Sequence, residues 1–188
     1  MKTMLSMAVI AICSGLLSAP ALAQDRIELY ADQLGTTCEI AEPTSPPIVQ
    51  VHVFITGPIN VTGVRFKAPQ PDCWVGATWL GDRTAYGGIG NSQTDWSVGF
   101  GKCLSTAPGA YVGSIAYLIS NQAQPCCVVT AVPAVQFVIT DCSGNFVEHE
   151  LAATKPLVVN PNETCGCLSA LTTAVEPTSW GRVKALYR

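Results

Sequence analysis

The segment Ile48–Thr56, with the sequence IVQVHVFIT, constrains the fold more than any other part of the chain. Its β-branched residues alternate with polar ones, and a period of two predicts a strand with one face in a hydrophobic core. The apolar face carries Val49, Val51, Val53 and Ile55; the other carries Gln50, His52, Thr56 and one apolar exception, Phe54. Proline and glycine pairs bound the segment on both sides, which is typical of turns. We therefore predict the central strand of a β-sandwich, with His52 on its solvent side.

Shorter segments of similar character follow along the chain, for example at 62–68, 73–80, 111–120 and 135–140. They are separated by turn signals, and no convincing amphipathic helix interrupts them. About nine such strands predict an all-β sandwich. Residues 80–96 contain four glycines, which are costly inside regular structure, so we predict a long loop there.

The N-terminus has the three parts of a secretory signal peptide. Lys2 provides the positive charge, residues 4–17 form an apolar run too short to span a bilayer, and Ala21-Leu22-Ala23 is typical of a cleavage site. We predict cleavage after Ala23 and a secreted protein located outside the cell or on its surface. The predicted organisation is a signal peptide at 1–23, one sandwich domain at 24–167, and a linker with a C-terminal tail at 168–188.

Eight cysteines remain once the signal peptide is removed, and an even number in a secreted chain predicts disulfides. Adjacent cysteines on a strand point to opposite faces, so Cys126 and Cys127 should have different partners. Cys73 and Cys103 bracket the tryptophan-rich middle and are a candidate local pair, and the later cysteines should tie the last strands together. Sequence does not choose among the 105 possible pairings. The eight are Cys38, Cys73, Cys103, Cys126, Cys127, Cys142, Cys165 and Cys167.

Charge and motifs point away from several classes of function. Without the signal peptide the chain has nine basic and thirteen acidic side chains, a net charge of −4. The charges are scattered, with no basic patch for phosphates, so we expect no nucleic-acid partner. We expect no membrane span in the mature chain, no cofactor and no metal. Secretion favours disulfides over zinc ligation by cysteine. A calcium site is not indicated either, because the sequence lacks a run of alternating aspartates.

Catalysis has little support in the sequence. Only two histidines occur, and His149 lies between Glu148 and Glu150, which would face away from it in a strand. A charged edge strand is the simpler interpretation of these three residues. No catalytic motif is present, and we predict that the protein is not an enzyme.

The glycine-rich segment 80–96 is the best binding candidate, because sandwich proteins often carry function on loops. Its exposed aromatic residues could stack on sugar rings while polar neighbours form hydrogen bonds. Trp74, beside Cys73, is more simply a core residue that packs on a disulfide. For Tyr86 and Trp96 the core and ligand interpretations stay open. The candidate ligand residues are Tyr86, Trp96, Asp82, Arg83 and Asn91.

The opening of the mature chain resembles a known family of modules. A short strand ends in Tyr30-Ala31-Asp32, a loop holds Cys38, and the long alternating strand leads to Gly63-Val64-Arg65-Phe66. This layout is similar to cohesin-like and related immunoglobulin-like β-sandwich modules of secreted bacterial proteins. The eight cysteines depart from cellulosomal cohesins. The resemblance implies a single immunoglobulin/cohesin-like sandwich, and the cysteine count predicts that it is disulfide-bonded.

The C-terminal sequence 175–188, VEPTSWGRVKALYR, looks like a tail that recurs on otherwise unrelated exported bacterial proteins. Such tails imply a sorting or surface-attachment segment; the alternative is a disordered terminus. We therefore predict a secreted, non-enzymatic module with a structural, adhesive or partner-binding role at the cell surface. Its partner would be a protein or a glycan, with self-association as a further alternative, and carbohydrate binding near 80–96 is the alternative function.

Overall fold

The computed structural model describes residues 25–42, 44–135, 138–151 and 153–167. The predicted signal peptide and C-terminal tail lie outside these residues. The described part folds into thirteen strands, more than the nine or so that we predict. They are β1 (Arg26–Tyr30), β2 (Glu39–Ile40), β3 (Ile48–Thr56), β4 (Val61–Phe66), β5 (Ala77–Arg83), β6 (Gly87–Asn91), β7 (Asp95–Leu104), β8 (Ala110–Ile119), β9 (Cys127–Val129), β10 (Val138–Asp141), β11 (Glu148–Glu150), β12 (Ala153–Lys155) and β13 (Leu157–Val159).

Two five-stranded sheets form a sandwich, which confirms the predicted fold class. The first sheet has the order β12-β1-β3-β8-β5, and the second has the order β11-β10-β4-β7-β6. A small third sheet, β2-β13-β9, pairs the region after Cys38 with the end of the described chain. No helix among the described residues is long and apolar enough to cross a membrane.

β3 is the middle strand of the first sheet, as its alternation predicts. Val51, Val53 and Ile55 are fully buried and Val49 is nearly so. They share one core with the inward side chains of the second sheet, which include Phe66, Trp96, Val98 and Ile139. Trp74 is also fully buried in this core, as predicted. The packing of these two apolar faces removes large areas from water and stabilises the sandwich.

The outer face of β3 is covered at His52 and Phe54, although Gln50 on the same face is exposed, so the surface position that we predict for His52 is wrong. His52 is only 8% exposed, and its Nδ1 lies 3.2 Å from the Tyr111 hydroxyl. Phe54 packs beside it with Tyr30 and the Cys38–Cys167 disulfide. This cover explains the apolar exception at Phe54, and burial lowers the pKa of His52 below its usual range.

The glycine-rich segment 80–96 is not the long loop that its composition suggests. It contains the end of β5, the whole of β6 and the beginning of β7. β6 pairs with β7 in register from Gly87–Gly99 to Asn91–Asp95, so the sheet offsets the conformational cost of the glycines. Only the connections remain irregular, and Gly90 takes a positive φ of 78° next to the β6–β7 turn. The strand predicted at 73–80 likewise begins later, at Ala77.

All eight cysteines of the domain form disulfides, as predicted, but the local pairing is wrong. The bonds join Cys38–Cys167, Cys73–Cys127, Cys103–Cys142 and Cys126–Cys165. Cys73 and Cys103 therefore pair with later cysteines and not with each other. Among the five cysteines from Cys126 onward, only Cys126 and Cys165 pair with each other. The adjacent Cys126 and Cys127 have different partners, as predicted, but Cys126 precedes β9 and has a φ of 61°, so strand alternation is not the reason.

We expect non-reducing digestion and mass spectrometry to recover these four pairs. Replacing Cys103 and Cys142 together by alanine should lower the free energy of unfolding by about 2–4 kcal/mol, because the bond closes a long loop. Chemical denaturation of the variant and the parent measures the difference. A peptide that links Cys73 to Cys103 would contradict the topology.

Candidate functional site

The outer face of the second sheet contains a shallow depression of about 540 Å³, which we call the glycine trough. Strands β4, β6, β7, β10 and β11 all contribute to it. Alternation explains which residues reach it. Val64, Val98 and Ile139 occupy matching positions that face the core, so their strand neighbours point outward.

Three glycines from neighbouring strands lie in one row across the trough. Gly87 pairs with Gly99, and Gly99 pairs with Gly63. Neighbouring strands lie about 4.8 Å apart, so the row is a strip about 10 Å long without side chains. A Cβ built on Gly99 has no other heavy atom within 4 Å, which means that the space above it is open. The floor of the trough is therefore exposed backbone.

The two ends of the trough differ in chemistry. Ile89 on the edge strand β6 is 80% exposed, an unusual position for a large aliphatic side chain. Glu148 and Glu150 stand exposed on the opposite edge strand, β11. Between them, Arg65 forms a bidentate pair with Asp95, with Nη2 to Oδ2 at 2.6 Å and Nε to Oδ1 at 2.9 Å. This pair raises the pKa of Arg65 and lowers that of Asp95. Among the described residues of the rim, Glu148 and Glu150 are therefore the charged side chains that form no salt bridge.

Asp141 holds the β10–β11 hairpin that presents these glutamates. Its Oδ1 accepts hydrogen bonds from the backbone N–H groups of Ser143 and Val147 and from the Ser143 hydroxyl, and its Oδ2 lies 3.1 Å from Nε2 of His149. The Ser143 hydroxyl, His149 and the two N–H groups all favour the carboxylate, which lowers the pKa of Asp141 to about 2. His149 thus stabilises a turn on an edge strand, as the charged-edge interpretation predicts.

The candidate ligand residues around 80–96 are only partly brought together. Asp82, Arg83 and Asn91 line a second depression of about 580 Å³ between β5 and β6, with Trp79 beside them. Trp96 borders it but is only 2% exposed, so its ring faces the core and cannot offer a stacking surface to solvent. Tyr86 is half-buried and packs edge-on against Phe100, with ring centroids 5.0 Å apart.

Two of these polar candidates already serve the local structure. Asp82 accepts hydrogen bonds from the Ser92 N–H and hydroxyl, at 2.7 Å each, and from the Trp79 indole at 3.2 Å. The Asn91 side-chain oxygen accepts from the N–H groups of Gln93 and Thr94 and closes the β6–β7 turn. Arg83 remains exposed at the end of β5. Ligand binding by these residues stays a prediction.

Metal and catalytic chemistry have few residues to use. Among the described residues, no three His, Cys, Asp or Glu side chains lie close enough together to hold a metal ion. One buried carboxylate is structural: Glu42, 8% exposed, accepts hydrogen bonds from the Trp74 indole, the Ala123 N–H and the Asn160 amide. These bonds satisfy the buried charge and join three loops.

Sequence reasoning missed the glycine trough. The outward positions of Gly63 and Gly99 are readable from strand alternation, and a glycine inside a strand is itself a signal of close approach. Their alignment in one row is not readable, because the register between β4 and β7, which are distant in sequence, places Gly63 opposite Gly99. The assignment of 80–96 to a loop also hid the third member of the row.

The fold is similar to solved structures of cohesin modules. One is the cohesin module of a family 33 glycoside hydrolase from Clostridium perfringens ATCC13124, with a TM-score of 0.47, 7% identity, and coverage of 75% of this chain and 98% of that one. The third cohesin of ScaC from Acetivibrio cellulolyticus, solved with the ScaB dockerin, has a TM-score of 0.48 and 8% identity over 72% and 96%. The seventh ScaB type I cohesin from Pseudobacteroides cellulosolvens has a TM-score of 0.46 and 9% identity over 74% and 92%.

The fold class rests on the two sheets described above. No protein-family model matches the chain. No curated protein matches it either.

Replacing Asp141 by asparagine should destabilise the domain in a pH-dependent way. The folded carboxyl has a pKa of about 2 against 3.8 without these contacts, so its stabilising effect is complete above pH 4 and is lost as the pH falls toward 2. We expect a lower melting temperature for Asp141→Asn at pH 6 and a shrinking difference between pH 4 and pH 2. Thermal melts across this range measure it, and a constant difference would contradict the assignment.

Proposed function

We propose that this protein is a secreted, non-enzymatic module that binds a protein partner through the glycine trough. The observation that carries the proposal is the strip of exposed backbone formed by Gly63, Gly87 and Gly99. A floor without side chains lets a partner side chain approach the sheet closely, and the rim offers one apolar and one acidic contact. Protein interfaces commonly combine apolar and polar contacts of this kind, although here the apolar contact, Ile89, lies at one end of the trough.

Features outside the trough support secretion, a non-enzymatic role and attachment to the cell surface. Four disulfides and the predicted signal peptide support an extracellular location. The two histidines are engaged in packing and in a turn, which supports a binding role over catalysis. Attachment to the cell surface rests on the resemblance of the tail at 168–188. Dockerin is the partner of the Acetivibrio cellulolyticus neighbour, and a protein ligand is the corresponding proposal here.

Filling the floor of the trough should abolish partner binding. Gly99→Leu adds a side chain into open space at a position without a positive φ, so the fold should tolerate it and gain strand propensity. We expect a protein captured from the producing cells' exported fraction by the parent to bind the variant at least tenfold more weakly. Affinity is measured with that protein after purification, and stability by chemical denaturation.

Gly144→Leu is the matched control. Gly144 also has no heavy atom near a built Cβ, but it lies in the β10–β11 turn, outside the trough. It should bind like the parent. If no exported protein is retained specifically, or if Gly99→Leu and Gly144→Leu bind equally well, the trough is not the binding face.

Carbohydrate binding is a second candidate, favoured by the depression that gathers Asp82, Arg83 and Asn91 beside Trp79. Arg83→Ala should weaken binding to a glycan about tenfold if its guanidinium donates to a sugar hydroxyl. A screen on soluble and insoluble glycans measures this, with Lys102→Ala on β7 as the matched control. Absence of glycan binding, or equal binding by both variants, would reject this candidate and leave the protein-binding proposal in place.

A further inference from the structure

We infer that the glycine trough is occupied by the C-terminal segment of the same chain, residues 179–188. This inference rests on the proposed function in so far as it takes the trough to be a binding face. It adds an occupant, and therefore a competitor for any external partner. Three properties support it: charge, the shape of the floor, and the reach of the chain.

Charge is complementary between the segment and one rim. The segment carries Arg182, Lys184 and Arg188 and no acidic side chain. The β11 rim carries Glu148 and Glu150, both exposed, at positions that pair with the outward residues Thr140 and Val138. Arg65 is neutralised by Asp95 and does not oppose a basic ligand. Lys67 lies just beyond the end of β4, four residues from Gly63 and away from the glycine row.

The shape of the floor suits the apolar residues of the segment. Trp180 and Tyr187 have flat rings, and a strip of backbone about 10 Å long without side chains has room for such a ring to lie against it. At the end of the strip, Ile89 offers an exposed aliphatic surface for Leu186 or for a ring. Covering Ile89 would remove the largest apolar side chain of this face from water.

The chain is long enough to reach the trough. The described residues end at Cys167, which packs with Tyr30 and Phe54 on the outer side of the first sheet. From there to residue 179 the backbone spans up to about 40 Å. To reach the trough, the chain would pass around the edge of the sandwich formed by β12 of the first sheet and β11 of the second. These two strands are joined by only two residues. With sheets about 10 Å apart and strands about 5 Å apart, this path is about 30 Å.

The arrangement has a functional consequence. An external partner must displace the tail before it can use the trough, so removal or capture of the tail elsewhere would open the binding face. The tail then has two exclusive positions, on its own domain or on another surface.

Hydrogen exchange of the secreted full-length chain, followed by mass spectrometry, tests the inference. We expect amides of 179–188 to exchange more slowly than in a free peptide of that sequence. Glu148→Lys with Glu150→Lys should accelerate their exchange about fivefold, because two attractive contacts become repulsive. Adding Arg182→Glu and Lys184→Glu should restore protection. Glu163→Lys is the matched control, an exposed acid in the turn before Cys165, and should leave exchange unchanged.

Equal exchange in the parent, the charge variants and the free peptide would overturn the inference. Protection that disappears on tenfold dilution would also overturn it, since the occupant would then be a second copy and not the same chain. The proposed function is judged separately: if the tail is unprotected while Gly99→Leu still abolishes partner binding, only the further inference fails.

Discussion

The burial of one face of β3 is the constraint on which the rest of the structure depends. Val51, Val53 and Ile55 lie in the centre of the first sheet and share a core with Phe66, Trp96 and Ile139 of the second. A shift of one residue in the register of β3 would expose this whole set, so the register is strongly specified. Once β3 is placed, β1 and β8 pair on either side, and the second sheet must turn its own apolar face inward.

That inward packing also creates the outer face of the second sheet. Residues that alternate with the core positions have no partner layer among the described residues, and the sequence places glycines at three of them. Bulky outward side chains would have made this face an ordinary polar surface. Glycine leaves backbone exposed, with Ile89 at one end and two glutamates at the other. The first sheet is different, because the Cys38–Cys167 disulfide covers the outer side of β3 at Phe54.

Local patterns predicted the elements that are long and strongly alternating. β3 and β8 lie within a residue or so of their predicted bounds, and the all-β class follows from them. The segment 80–96 was assigned to a loop because glycine loses much conformational entropy in a strand. In the structure, the pairing of β6 with β7 offsets this loss. His52 was misplaced, and the position of Trp96 stayed open, for a related reason. Which layer covers a face depends on segments distant in sequence, such as Cys38 and Cys167 for the surroundings of His52.

The sequence by itself determined the number of disulfides, the alternating central strand and the all-β class, and it predicts a secreted protein. These follow from composition and from local periodicity, which act within a few residues. The tertiary structure alone decided the disulfide pairs, the burial of His52 and the alignment of Gly63, Gly87 and Gly99. Each of these depends on which distant segments the fold brings together. For the glycine row this is the register between strands, because Gly63 is separated from Gly87 and Gly99 by 20 or more residues. Register is set by the packing of the whole core, and no local pattern encodes it.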